Sequence, residues 1–286
     1  MIQARNKLSQ EELSEAKKLI NCCQAYDETY RDPYLSNMLN FDTNMPAFFL
    51  YYEKGELVGL LTVYADDPDV EVAILVHPNH RCQGIARALY RSFEKETASY
   101  PIESVTFQTE RIFLERHPDF ASNWGLVEDE ETETWLGKDR RPYPLANVSN
   151  LEVLLADRSY QDQISQLKFQ AFSEDHESRE VVDRYVAKAL KDPESLLYIL
   201  LKNGQVIGTC TVDLSSNTNY LFGLAIAELE RGKGYGTYLA KTLINQLIEQ
   251  NDKAFQIAVE DSNLGAKRLY EKIGFVKQTQ VVYLKA

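Results

Sequence analysis

Leu224-Ala225-Ile226-Ala227-Glu228-Leu229-Glu230-Arg231-Gly232-Lys233-Gly234-Tyr235-Gly236 is the stretch that decides how the rest of the chain folds. An apolar run from Tyr220 to Ile226 leads into it and predicts a strand. Beyond it, Leu239, Leu243, Ile244, Leu247 and Ile248 recur at helical spacing, so a helix is expected to begin near Gly236. Between strand and helix lies Arg231-x-x-Gly234-x-Gly236. Glycines at such a turn let backbone amides come close to a ligand, and the helix behind them presents unpaired N–H groups and a positive dipole end. The ligand such a turn suits is a pyrophosphate.

The same plan occurs earlier in the chain. Arg81-x-x-Gly84-x-Ala86 matches Arg231-x-x-Gly234-x-Gly236 at an offset of 150. Lys54-Gly55-Glu56-Leu57-Val58-Gly59 matches Asn203-Gly204-Gln205-Val206-Ile207-Gly208 at 149, and Gly125-Leu126-Val127 matches Gly274-Phe275-Val276 at 149. Landmarks in one register mean a duplicated domain, and not a short solenoid repeat. Residues 137–150 hold two prolines and no periodicity. The expected division is therefore a first domain over 1–140, a linker over 141–150 and a second domain over 151–286.

The first half opens on a helix. Ser9 with Glu12 three residues on is a capping-box pattern. A tyrosine-rich stretch follows (Tyr26, Tyr30, Tyr34), for which core packing is the preferred reading. Ala47–Tyr52 and Leu57–Tyr64 around the turn at 53–56 predict a hairpin. Strands are expected at 70–76, 104–108 and 132–136, with helices at 84–97 and 112–121. Strand, glycine turn, helix and strand in each half make a βαβ unit, and the remaining strands pair as hairpins. The fold class is α/β with a mixed, mostly antiparallel sheet flanked by helices.

Composition narrows the function classes. The chain has 286 residues, 44% apolar, enough for two cores. Its net charge of −12 argues against a nucleic-acid backbone as the main partner; the acidity reads first as solvated surface, with attraction of a cationic small molecule as the functional alternative. Residues 1–148 carry −10 of that charge. No apolar run is long enough to span a bilayer, and the polar start does not resemble a signal peptide. Four cysteines without a Cys-x-x-Cys pair point to a reduced, cytoplasmic setting. His77-x-x-His80 lacks further ligands, so no metal is expected.

Each half resembles the GNAT superfamily of N-acetyltransferases, as two tandem copies covering nearly the whole chain. In that family an Arg/Gln-x-x-Gly-x-Gly/Ala turn cradles the pyrophosphate of acetyl-CoA. The resemblance implies a cofactor site at Leu224, Ala225, Ile226, Arg231, Gly232, Lys233, Gly234, Tyr235 and Gly236. A second implied site comprises Ile74, Leu75, Val76, Arg81, Cys82, Gln83, Gly84, Ile85 and Ala86. It also implies that Asn263 bonds the pantetheine arm and that Tyr270, two helical turns on, protonates the departing thiolate. Backbone N–H groups near Leu224–Ile226 would stabilise the oxyanion.

The first half departs from this pattern. Ala121 takes the place of Tyr270, Phe113 or Leu114 that of Asn263, and Pro118 breaks the helix. The second half is therefore expected to be the catalytic copy. Some relatives place a base on the fourth strand; the first half has Glu71 there and the second half Leu221, so the base of the second half is not readable from the pattern. Asp213 at the end of the preceding strand is one candidate, and a water chain to backbone carbonyls is another. Phe169, Phe172, Glu174, Asp175 and Glu177 read either as a solvated loop with two core phenylalanines, the preferred reading, or as a seat for a cationic amine. The expected activity is transfer of an acetyl group from acetyl-CoA directly to a primary amine of a small molecule or peptide, by a monomer or homodimer. The alternative is a non-catalytic acetyl-CoA-binding or regulatory module.

Overall fold

The computed structural model describes residues 1–145, 148–172 and 179–285. The chain forms two compact units. One is Met1–Trp135 together with the chain from Gln278 on; the other is Leu136–Lys277.

The first unit contains β1 (Ile2–Arg5), α1 (Gln10–Asp27), β2 (Phe48–Glu53), β3 (Glu56–Tyr64), β4 (Asp69–Val76), α2 (Ile85–Thr97), β5 (Ser104–Glu110), α3 (Arg111–Arg116), α4 (Phe120–Trp124) and most of β6 (Val127–Lys138). Strands β1 to β4 pair in chain order, antiparallel throughout. β4 and β5 are parallel, joined through α2. The capping box is formed: the Ser9 hydroxyl accepts from the Glu12 amide at 3.1 Å, and Glu12 accepts from the Ser9 amide at 2.8 Å. β3 is buried on both faces from Leu57 to Val63, as a strand must be when helices cover each side of the sheet. Phe48, Phe49, Leu60 and Val72 form its core with Leu19 and Ile20 of α1 and Leu89 and Phe93 of α2.

The second unit repeats this order. It holds β7 (Leu151–Leu155), α5 (Gln161–Phe172), α6 (Arg179–Ala189), β8 (Ser195–Lys202), β9 (Gln205–Asp213), β10 (Asn219–Ile226), α7 (Tyr235–Gln250), β11 (Phe255–Glu260) and α8 (Leu264–Lys272). β7 to β10 are antiparallel neighbours, and β10 and β11 are parallel. The repeated hairpin turns are the same turn. Lys54-Gly55 and Asn203-Gly204 all have positive φ, from +51° to +87°, the two-residue hairpin geometry that matches strand twist.

The last strand, β12 (Val276–Lys285), is where the units and the sequence halves part company. From Gln278 on it belongs to the first unit, with Val281 opposite Glu110 and Lys285 opposite Thr106 of β5. The end of β6 goes the other way: Leu136 is buried in the second unit's core. The halves at 1–140 and 151–286 follow the duplication, whereas the packing counts most of β12 with the first unit and only the end of β6 with the second. The open edge of β5 needs a partner, and β12 supplies it antiparallel.

Other expectations change in detail. Tyr26 and Tyr30 are not core residues; they are 63% and 47% exposed. Tyr34 is half-buried, edge-on to Tyr64. The helix expected near Gly236 starts one residue earlier, at Tyr235. In the expected linker, Tyr143 is tied to α7: its amide donates to Asn245 Oδ1 at 2.8 Å, and Asn245 Nδ2 returns a bond at 2.9 Å. Pro118 does end a helix, α3, near Arg116. No helix among the described residues is long and apolar enough to cross a membrane.

Candidate active site

In the second unit the cleft arises from strand register. β10 pairs with β11 only over Asn219–Leu221, and then runs on to Ile226. Residues 222–226 thus leave an edge of backbone groups with no partner in β11. At the end of that edge the Arg231 Nε donates to the Ile226 carbonyl at 3.0 Å and fixes the turn. Gly232 and Gly234 take φ of +75° and +85°, which an L side chain adopts only with strain. Gly234 caps α7 without a side-chain bond, so the first-turn amides stay free for an anion. Gly236 is needed for a different reason: a Cβ there would meet the Leu269 side chain at 3.0 Å. The Lys233 ammonium is turned back on Glu230, at 3.1 Å, and Tyr235 lies under the Lys202 ammonium.

Tyr270 lies on α8 beside this edge's unit core, buried and edge-on to Phe275 at 6.0 Å. The hydroxyl has no hydrogen bond to a described residue, yet it is not among the fully buried unpaired atoms. Burial pushes its pKa well above that of a free tyrosine, so it stays protonated. Asn263 caps α8, its Oδ1 accepting from the Ala266 amide at 3.0 Å. That leaves its exposed Nδ2 as the group able to donate to a ligand.

β10 also contains a feature that pattern reading missed. Phe222 faces Thr211 and Ala225 faces Thr209, so Gly223 and Leu224 together stand against Cys210. This two-against-one bulge puts Gly223 at φ +58°. It also corrects the sequence alignment. Tyr220 faces Asp213 in the second unit as Glu71 faces Tyr64 in the first, so Tyr220, and not Leu221, takes the place of Glu71. Asp213 is buried; its Oδ1 accepts from the Ser215 amide at 3.1 Å and its Oδ2 from the Ser215 hydroxyl at 2.9 Å. Burial pushes its carboxyl up to about 6 despite those bonds.

Beside the bulge, Tyr220 stacks on Phe222 at 5.7 Å, and Tyr185 of α6 meets Phe222 edge-on. Lys168 of α5 is buried among them. Sequence reading missed these too, although the signal was present: Lys168 stands four residues after Ile164, on the apolar stripe of α5. Glu174, Asp175 and Glu177 lie outside the described residues, while Phe169 packs on an apolar cluster and Phe172 is 43% exposed.

The first unit has a cleft of its own, a cavity of about 700 Å³ reaching from Arg81 and Gly84 past Ile74 to Gln108 and Phe120. β4 pairs with β5 only over Asp69–Val72 and continues to Val76, leaving the edge at 73–76. Arg81 Nε donates to the Val76 carbonyl at 3.0 Å, as Arg231 does to Ile226. Its other two nitrogens grip buried Asp27 at 2.7 and 2.6 Å. Gly84, at φ +81°, caps α2 with no side-chain bond. Cys82 takes φ +61° where the second copy has Gly232. Leu75, Val76, Ile85 and Ala86 also line the cavity, whereas Gln83 is exposed at the turn. β4 runs without a bulge. Aromatic rings fill the region where the second unit has Tyr270: Phe120 contacts both Phe113 and Trp124, and no tyrosine lines the cavity. Glu71 accepts a bond from Gln108, and burial pushes it up to about 7 against the pull of Arg31. Among the described residues no group of three or more His, Cys, Asp or Glu side chains could hold a metal ion; His80 pairs instead with Glu53.

The model of the Acetyltransferase (GNAT) family matches residues 13–137 and again 161–275. The chain is 25% identical over 230 residues to a mycothiol acetyltransferase of Clavibacter sepedonicus, covering 76% of this chain and 73% of the relative. Its fold is similar to that of a GCN5-related N-acetyltransferase from Sphaerobacter thermophilus, with a TM-score of 0.71 at 16% identity over 100% of this chain and 95% of the other. It is also similar to a tandem GNAT protein from the clavulanic acid biosynthesis pathway, with a TM-score of 0.68 at 16% identity over 100% and 98%.

Proposed function

Because the chain belongs to the Acetyltransferase (GNAT) family, we propose that it moves an acetyl group from acetyl-CoA to a primary amine, and that the second unit does so. The observation that carries this reading is a conjunction found in one unit only: a free strand edge, a glycine-capped helix and a protonated, unbonded tyrosine. The α7 amides and the turn at Arg231–Gly236 hold the pyrophosphate. The free edge at Leu224–Ile226 pairs with the pantetheine arm as an added strand would, with Asn263 donating from its Nδ2. The amine nitrogen attacks the thioester carbon, a C–N bond forms and the C–S bond breaks. Backbone N–H groups of the edge stabilise the oxyanion, and the Tyr270 hydroxyl donates to the leaving sulfur. Asp213, with its raised proton affinity, takes a proton from the acceptor's ammonium and so frees the amine to attack. The acceptor is a small molecule or peptide.

We assign a second acetyl-CoA site to the first unit, at Ile74–Val76 and Arg81–Ala86, because the same edge, arginine and helix cap recur there around an open cavity. Titration calorimetry with acetyl-CoA tests both sites. Two equivalents should bind to the wild type and one to Gly234→Glu, whose side chain meets a left-handed φ and repels phosphate. Thiol release with a panel of amines should occur in the wild type and vanish in Gly234→Glu. Binding without turnover on any amine would replace this reading with a non-catalytic acetyl-CoA-binding module.

A further inference from the structure

Lys168 is a charged side chain in a place that disfavours charge. It lies on the apolar stripe of α5 and is only 5% exposed. Burying an ammonium is costly unless dipoles and carbonyls compensate it. The Tyr185 and Phe172 rings lie at 5.3 and 5.9 Å from its nitrogen. The backbone it reaches is the bulge: Lys168 Nζ donates to the Gly223 carbonyl at 3.4 Å. Contact there is tight, since a Cβ on Gly223 would stand 2.6 Å from the nitrogen. Glycine at 223 thus satisfies two demands together, a left-handed φ and room for a lysine head group.

The carbonyl of Gly223 and the N–H of Leu224 belong to one peptide plane and point in opposite directions. A cation on the carbonyl therefore holds that plane in one orientation. It also draws electron density towards the oxygen, which makes the N–H of the same peptide a stronger donor. Resting on the acetyl-transfer reading above, we propose that Lys168 is a positioning residue for catalysis. It locks the β10 bulge and strengthens the Leu224 N–H as the donor to the thioester oxygen. The two units support this by contrast. In the first, β4 has no bulge, and the buried face of α1 (Ala16, Leu19, Ile20, Cys23) has no lysine. Bulge and buried lysine are present together or absent together.

The test uses the full chain in a Gly84→Glu background, which removes acetyl-CoA from the first cleft. Isotope-edited infrared spectroscopy of bound acetyl-CoA labelled at the acetyl carbonyl reports how strongly that carbonyl is polarised. The carbonyl band should lie at lower frequency in the Lys168 protein than in Lys168→Met, with acetyl-CoA affinity within about 3-fold. With a competent amine, kcat should fall about 10- to 100-fold in Lys168→Met, somewhat less than the loss on deleting an oxyanion donor outright, and KM for acetyl-CoA should hold. Lys168→Gln, neutral but still able to donate, should recover part of both signals and serves where the methionine variant folds poorly. Equal carbonyl frequencies with and without Lys168 would overturn the inference and leave the acetyl-transfer reading standing. A frequency difference without turnover on any amine would remove that reading and keep Lys168 in its role on the bound thioester. Failure of the Gly84→Glu protein to bind acetyl-CoA would overturn both.

Discussion

Replacing Tyr270 with phenylalanine isolates a single hydroxyl. The ring is packed on Phe275 and buried, and phenylalanine keeps that packing. The hydroxyl has no protein partner to lose, so the melting temperature should not fall. Its pKa is raised above the ordinary tyrosine value, whereas that of a free thiol sits near 8.5. Outright proton transfer from tyrosine to thiolate is then uphill in the resting site. What remains is a hydrogen bond donated to a developing anion, which contributes about 1.5–3 kcal/mol. That corresponds to a loss of about 10- to 150-fold in kcat, at the low end of the roughly 10²–10⁴ ascribed to general acids. Stopped-flow detection of thiol release at saturating acetyl-CoA gives kcat directly, and calorimetry should show unchanged acetyl-CoA affinity. A loss under about 3-fold would refute the role of the hydroxyl. A loss well above 10³-fold would refute the hydrogen-bond argument and call for full proton transfer.

Three further outcomes follow from the same geometry. Asp213 binds its proton more tightly folded than unfolded, so its penalty is absent below about pH 4 and grows as pH rises through about 6, to about 3 kcal/mol; the urea midpoint should drop more steeply over that window in wild type than in Asp213→Asn, and the rise of kcat/KM near pH 6 should disappear in the variant. Identical profiles would refute the assignment. Asp27→Ala strands the Arg81 guanidinium beside a buried gap and should cost about 2–3 kcal/mol in a urea titration, since Arg81 keeps one-fifth of its side chain in water; a change under about 0.5 kcal/mol would contradict the pairing. Truncation at Gln278 removes Val281, Val282 and Leu284, all fully buried, at about 2 kcal/mol each. That is comparable to the whole stability of a domain, so the first unit should lose its protection against proteolysis, and an intact truncated unit would overturn the strand placement.

The amino-acid order alone determined the duplication, the strand–turn–helix around each glycine motif, the hairpin turns and the capping box. All of these rest on contacts within a few residues or on a register between copies, so they are visible in one dimension. The tandem family and the place of Tyr270 and Asn263 were legible for the same reason, as fixed spacings along a helix. Three things were settled only in three dimensions. The bulge at Gly223 comes from how β10 meets β9, and it moved the counterpart of Glu71 from Leu221 to Tyr220. The buried Lys168 acquires its meaning from a carbonyl 55 residues away in sequence. The seat of the last strand depends on which open edge it reaches, a long-range pairing that no local propensity encodes.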